Sequence, residues 1–171
     1  MRRFLDRLYG AAAWAAALFM VGTLVMILLS VSGRLLDFHV PGTDAYAGYS
    51  MAAAAFLALA HTLRRGEHIR VTLILDHAGR RGRQGLEIWS HAAGLLCAVL
   101  LAWFSLHLTW QSFQFSDISQ GTDATPLWIP QLSMALGSIV FAIAIADELV
   151  GVLRGEKLRH RAADSEPART E

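Results

Sequence analysis

The sequence predicts an all-α membrane protein of four transmembrane helices with both termini cytoplasmic, and three observations predict it. The 171-residue chain is 54% hydrophobic and only 17% charged, where soluble domains carry about 25% charge. Its charges cluster in short stretches, leaving charge-free runs at residues 8–33, 45–63, 88–116 and 124–146. All but one of its 15 basic residues fall before the first run, between the second and third, or after the fourth.

A helix rises about 1.5 Å per residue, so roughly 20 apolar residues cross a hydrocarbon core of about 30 Å. A soluble four-helix bundle would show polar stripes at helical spacing, and these runs lack them. The net charge of +1 gives no pull toward nucleic acid, which is not expected as a partner.

The first run follows MRRFLDR, which looks like the basic start of a signal peptide. Its apolar stretch, however, far exceeds the roughly 7–15 residues of a signal core. The small residues Ala11–Ala13 and Ala15–Ala17 also lie at its beginning, where cleavage is not expected. A retained helix follows. The second run, containing AGYSMAAAAFLALA, offers small side chains that let helices approach closely in lipid.

Between spans two and three stands RRGEHIRVTLILDH. Its arginines hold a helix end among lipid headgroups. Val71, Ile74, Leu75 and Ala78 share one helical face, although Ile69 and Leu73 do not. This predicts a short helix lying in the membrane interface or against a partner. Gly79, Gly82 and Gly85 are then expected to turn the chain into span three.

Span three is the longest run, so it must tilt or project. At the fourth, TDATPLWIP suggests a helix starting near Thr125 and Pro126, with Pro130 tolerated only in the first turn. Trp14 and Trp89 near one boundary, and Trp110 and Trp128 near the other, match aromatic belts. Residues 1–154 thus read as one transmembrane domain, and 155–171 as a polar tail whose composition predicts disorder. There is no internal repeat.

Orientation follows from Arg2, Arg3 and Arg7, then Arg64, Arg65, Arg70, Arg80, Arg81 and Arg83, then Arg154, Lys157, Arg159, Arg161 and Arg169. The positive-inside rule makes their side cytoplasmic. Only Arg34 lies opposite.

Residues that carry chemistry are scarce. Cys97 stands alone in span three, which excludes a multi-cysteine disulfide-forming enzyme. No glycine-rich phosphate loop, intramembrane carboxylate pair or nucleophile motif occurs, so no catalytic residue, metal or cofactor is assigned. His61 and His91, at similar depth on spans two and three, leave a bis-histidine haem subunit as an alternative. A stand-alone small transporter is another. The first three spans hold no acidic residue, and Asp147 and Glu148 only close the fourth. The chain therefore lacks the embedded carboxylate expected of a proton-coupled exporter. Spans without machinery suggest a subunit.

The order of these pieces resembles a known family. Four spans, with Arg65-Gly66-Glu67-His68-Ile69-Arg70-Val71 after the second and Pro126-Leu127-Trp128-Ile129-Pro130 then Gly137 in the fourth, resemble the small, DctQ-type membrane subunit of TRAP transporters. The resemblance spans roughly residues 4–154. The sequence departs from the usual pattern at Thr72, where an acidic residue commonly stands, and at Ala135–Leu136, near which a proline often precedes the glycine.

The resemblance implies a scaffold subunit without catalytic residues, in the bacterial inner membrane. It would pack against a large membrane subunit that holds the substrate and sodium sites. A periplasmic substrate-binding protein would deliver an organic acid, and a sodium gradient would drive uptake. Arg64, Arg65, His68 and Arg70 become candidates for contact with the large subunit or membrane lipid. Trp128 and Pro130 become candidates for shaping the surface met by the binding protein.

Overall fold

A computed structural model of the chain describes residues 2–38, 40–65, 80–121 and 123–154. Within them the chain is all-helical, with four helices: α1 (Arg2–Leu35), α2 (Thr43–Arg65), α3 (Arg80–Gln114) and α4 (Trp128–Leu153). The stretch proposed as an interfacial helix, the turn residue Gly79 and the tail 155–171 lie outside the described residues.

Three helices are long and apolar enough to cross a membrane, through Leu5–Leu35, Gly85–Gln114 and Trp128–Leu153. The helix α2 has the length, about 34 Å for its 23 residues, but Tyr46, Tyr49, Ser50, His61 and Thr62 dilute its alanines. Its position explains the difference. The helices form an open row in the order α1, α2, α4, α3, with α1 touching α4 only marginally. Two faces of α2 are thus covered by protein rather than lipid, and a covered face tolerates hydroxyls and imidazole.

The helix ends differ from expectation in places. Gly82 and Gly85 do not turn the chain but lie inside the first turns of α3. The fourth helix begins at Trp128 and continues past Asp147 and Glu148 to Leu153. Thr125 and Pro126 precede it instead: Pro126 forms an isolated antiparallel bridge with Ile118, closed by Ser119 N–H to Thr125 O (2.8 Å) and Leu127 N–H to Asp117 O (2.9 Å). Pro130 sits in the first turn, where its missing N–H costs no helical bond.

The ends of α1 and α3 that share this side close in the same way. Phe38 N–H bonds Gly33 O at 3.0 Å, and Asp117 N–H bonds Ser112 O at 3.0 Å. Asp37 (φ 57°) and Ser116 (φ 53°) supply the left-handed residue. Both are the six-to-one closure of a Schellman motif, with a non-glycine residue in the left-handed position.

Small residues set the helix spacing. Ala53, Ala54 and Ala60 of α2 are buried, as are Ala135, Ser138 and Ala144 of α4. Tyr9, Ala60, Leu63, Ala98, Ala144 and Ile145 form a core to which all four helices contribute. Large apolar side chains point outward instead, among them Trp14, Leu18 and Met20 of α1 and Trp89, Trp103 and Phe104 of α3. This is the reverse of a water-soluble fold and suits a lipid or protein surround.

Candidate functional site

The row places polar side chains at its two ends. At the end holding residues 2 and 154, Arg64 of α2 reaches Asp6 of α1, with Nη1 2.6 Å from Oδ1. Its guanidinium also lies 4.8 Å above the Tyr9 ring. Tyr9 is buried, 1% exposed, and its hydroxyl has no hydrogen-bond partner among the described residues. The charges acting on it come from Asp147, Arg64, Asp6 and Glu148, so α1, α2 and α4 converge around one ring.

The α3–α4 pair closes the same end. His91 Nε2 lies 3.5 Å from Glu148 Oε2, with side chains only 8% and 15% exposed. His91 Nδ1 is 2.7 Å from the Glu87 carbonyl oxygen one turn back. Since α4 lies between α2 and α3 in the row, His61 and His91 do not face each other as haem ligands would. The residue opposite His91 is Glu148.

At the other end, the α3–α4 loop is tied to α2. The Tyr49 hydroxyl donates to Asp123 Oδ2 at 3.2 Å, and the Ser119 hydroxyl donates to Oδ1 at 2.8 Å. The Tyr46 and Thr125 hydroxyls are 3.1 Å apart. Hydrogen bonds from Thr125, then Ser119 and Tyr49, hold the Asp123 carboxyl below its ordinary 3.8, while burial acts the other way. Gly42, at φ 81°, lets the chain pass beneath: a Cβ there would meet Asp123 Cβ at 2.8 Å. Beside it, Asp44 accepts from Ser30 Oγ at 2.9 Å and pairs with Arg34 at 3.5 Å. That last pair is solvent-exposed and worth little.

Next to the loop runs an apolar groove of about 520 Å³ between α3 and α4, lined by Trp103, His107, Trp110, Phe113, Trp128 and Leu132 among others. Trp128 meets Phe113 edge to face, 5.7 Å between ring centres, and Phe113 continues to Trp110 at 6.3 Å. Edge-to-face stacks of this kind add about 0.5–1.5 kcal/mol beyond burial.

The candidate contact residues therefore separate. Arg64 is at the terminus-bearing end, engaged with Asp6 and Tyr9; Arg65 ends α2. The side chain of Arg65, and His68 and Arg70 entirely, lie outside the described residues. Trp128 and Pro130 open α4 at the opposite end. Sequence reasoning missed Asp6, Tyr9, the His91–Glu148 pair and the tyrosine clamp on Asp123. A depth match was available for one of them, because Glu148 and His91 lie at comparable distances from Arg154 and Arg83 on antiparallel spans.

A search of curated proteins finds no match to this sequence. The family model described as "Tripartite ATP-independent periplasmic transporters, DctQ component" matches residues 23–155. That stretch covers well over half of the chain and runs from mid-α1 through the end of α4. With an all-helical row whose large apolar side chains face outward, the chain belongs to the DctQ family, the small membrane component of TRAP transporters.

Proposed function

We propose that the chain is the scaffold subunit of a sodium-driven TRAP-type uptake transporter for an organic acid, packed against the large transport subunit. The observation that carries this reading is the family match over residues 23–155. In this reading α2 is a fourth span despite its lower hydropathy, because its neighbours shield it. The basic residues at the terminus-bearing end make that end cytoplasmic. The protein is then a multi-pass inner-membrane subunit, with the Asp123 loop and the aromatic groove on the periplasmic side. The outward apolar faces of α1 and α3 meet lipid and the large subunit, and the periplasmic loop lies where a substrate-binding protein docks. Arg64, Arg65, His68 and Arg70 anchor the cytoplasmic side against partner or lipid phosphates.

Reconstitution tests it. Vesicles holding this chain with its large subunit and binding protein should accumulate an organic acid only with an inward sodium gradient. Vesicles holding this chain alone should accumulate none. Uptake by the chain alone, or by the complex without sodium, would overturn the reading.

A further inference from the structure

The two edges of the row differ in what they ask of a neighbour. The helix α1 packs chiefly on α2, and α3 packs chiefly on α4. From Ala15 to Val31 every exposed side chain of α1 is apolar, among them Leu18, Met20, Leu24 and Leu28. The hydroxyls on that stretch with printed partners are already used: Thr23 donates to the Phe19 carbonyl at 2.9 Å, and Ser30 donates to Asp44 at 2.9 Å. Such a surface is satisfied by hydrocarbon.

The α3 edge is not. Trp103 is 67% exposed, His107 one turn on is exposed too, and both line the aromatic groove. Trp103 stands two turns before Trp110, so about 10 Å deeper in the span than the boundary tryptophan. An indole carries one N–H donor, and an imidazole carries at least one N–H in either tautomer. Neither ring hydrogen-bonds within the described residues. Lipid tails hold no acceptor for them, and an unpaired donor at that depth is costly. A protein helix can supply the acceptor from a hydroxyl, amide or carboxylate side chain. Thr109, which also lines the groove, is buried and already donates to the Ser105 carbonyl at 2.8 Å. The rest of the lining suits a protein contact as well, since aromatic side chains such as Trp110, Phe113 and Trp128 are enriched where interfaces carry most of their binding.

We propose that the large subunit packs into the α3–α4 groove and that the α1 edge faces lipid. The occupant is an apolar transmembrane helix of that subunit, bearing a hydrogen-bond acceptor at the depth of Trp103 and His107. The assignment rests on the scaffold reading above and adds to it which edge of the row is the interface.

Photo-crosslinking in native membranes tests this on the full, tagged chain. A benzophenone amino acid stands in place of Leu106, which lines the groove, or of Leu24 on α1. Position 106 should capture the large subunit several-fold more than position 24, which should give lipid adducts. Capture from position 24 instead, or from neither position while the large subunit still co-purifies, overturns the proposal and leaves the scaffold reading standing. Failure of the large subunit to co-purify with the native chain sinks the scaffold reading, and the proposal with it. A second measurement isolates the buried donors. Trp103→Phe keeps the ring and removes its N–H, so recovery of the large subunit should fall several-fold while thermal unfolding of the chain purified alone is unchanged. Leu24→Ala should leave recovery as it is. Undiminished recovery with Trp103→Phe and His107→Leu combined overturns the proposed hydrogen bonding.

Discussion

Gly137 of α4 rests directly on the backbone of Phe56 of α2. A Cβ at position 137 would lie 2.6 Å from both the carbonyl carbon and oxygen of Phe56. The obstacle is backbone, which cannot swing aside as a flexible side chain would. Glycine here sets the α2–α4 distance, and α2–α4 packing joins the two halves of the row.

Substituting Gly137→Ala should therefore lower stability by about 1–3 kcal/mol, the usual cost of overpacking. Gly137→Leu should cost more and reduce recovery of folded protein. Thermal unfolding in mild detergent checks both, with Gly94→Ala on α3 as the control, since a Cβ there meets nothing within 4 Å.

Arg64 works through Asp6 and Tyr9 together. Arg64→Ala should destabilise the chain by about 1 kcal/mol, because Asp6 is half exposed and the pair is partly screened. Arg64→Lys should recover only part, since lysine keeps the charge but not the planar stack. A double-mutant cycle with Asp6→Asn should give a coupling of roughly 0.5 kcal/mol or more.

The Asp123 clamp carries a pH signature. Its carboxyl is held below the ordinary 3.8 by hydrogen bonds, foremost from Thr125. A depressed group stabilises above its unfolded value and loses that contribution as pH falls through the folded one. Exchange protection of the 117–127 loop should hold at neutral pH and fall only below about pH 4. Asp123→Asn should remove that acid-side change.

Trp128→Ala should remove the edge-to-face contact with Phe113 and open the aromatic groove. A loss of about 1–3 kcal/mol is expected, less than for a core aromatic because Trp128 is only half-buried. Trp128→Phe should restore most of the stability. If Trp128 also shapes the docking surface, the phenylalanine variant will retain stability and lose affinity for the binding protein.

Much of the architecture was legible from where charges are absent. Four charge-free runs located four helices, three of them long and apolar enough to cross a membrane. The helix ends were less legible. The helix α1 begins at Arg2 and α3 at Arg80, ahead of the charge-free runs, since a helix can project beyond the hydrocarbon without breaking. Thr125 and Pro126 carry a helix-start signature, yet pairing with Ile118 and Ser119 claims their backbone first. The row order could not be read at all. It depends on close approaches such as Gly137 on Phe56, and spacing along one chain does not say which helix a small residue meets. That is why His91 was matched by depth to His61 on a helix it does not pack against, rather than to Glu148.

The scaffold role itself is tested most directly by its partner. The chain, tagged at its C-terminus and extracted from native membranes in mild detergent, should bring down a large multi-span protein in near-stoichiometric amount, identified by mass spectrometry. Recovery of this chain alone, under extraction shown to keep known membrane complexes intact, would contradict the scaffold account.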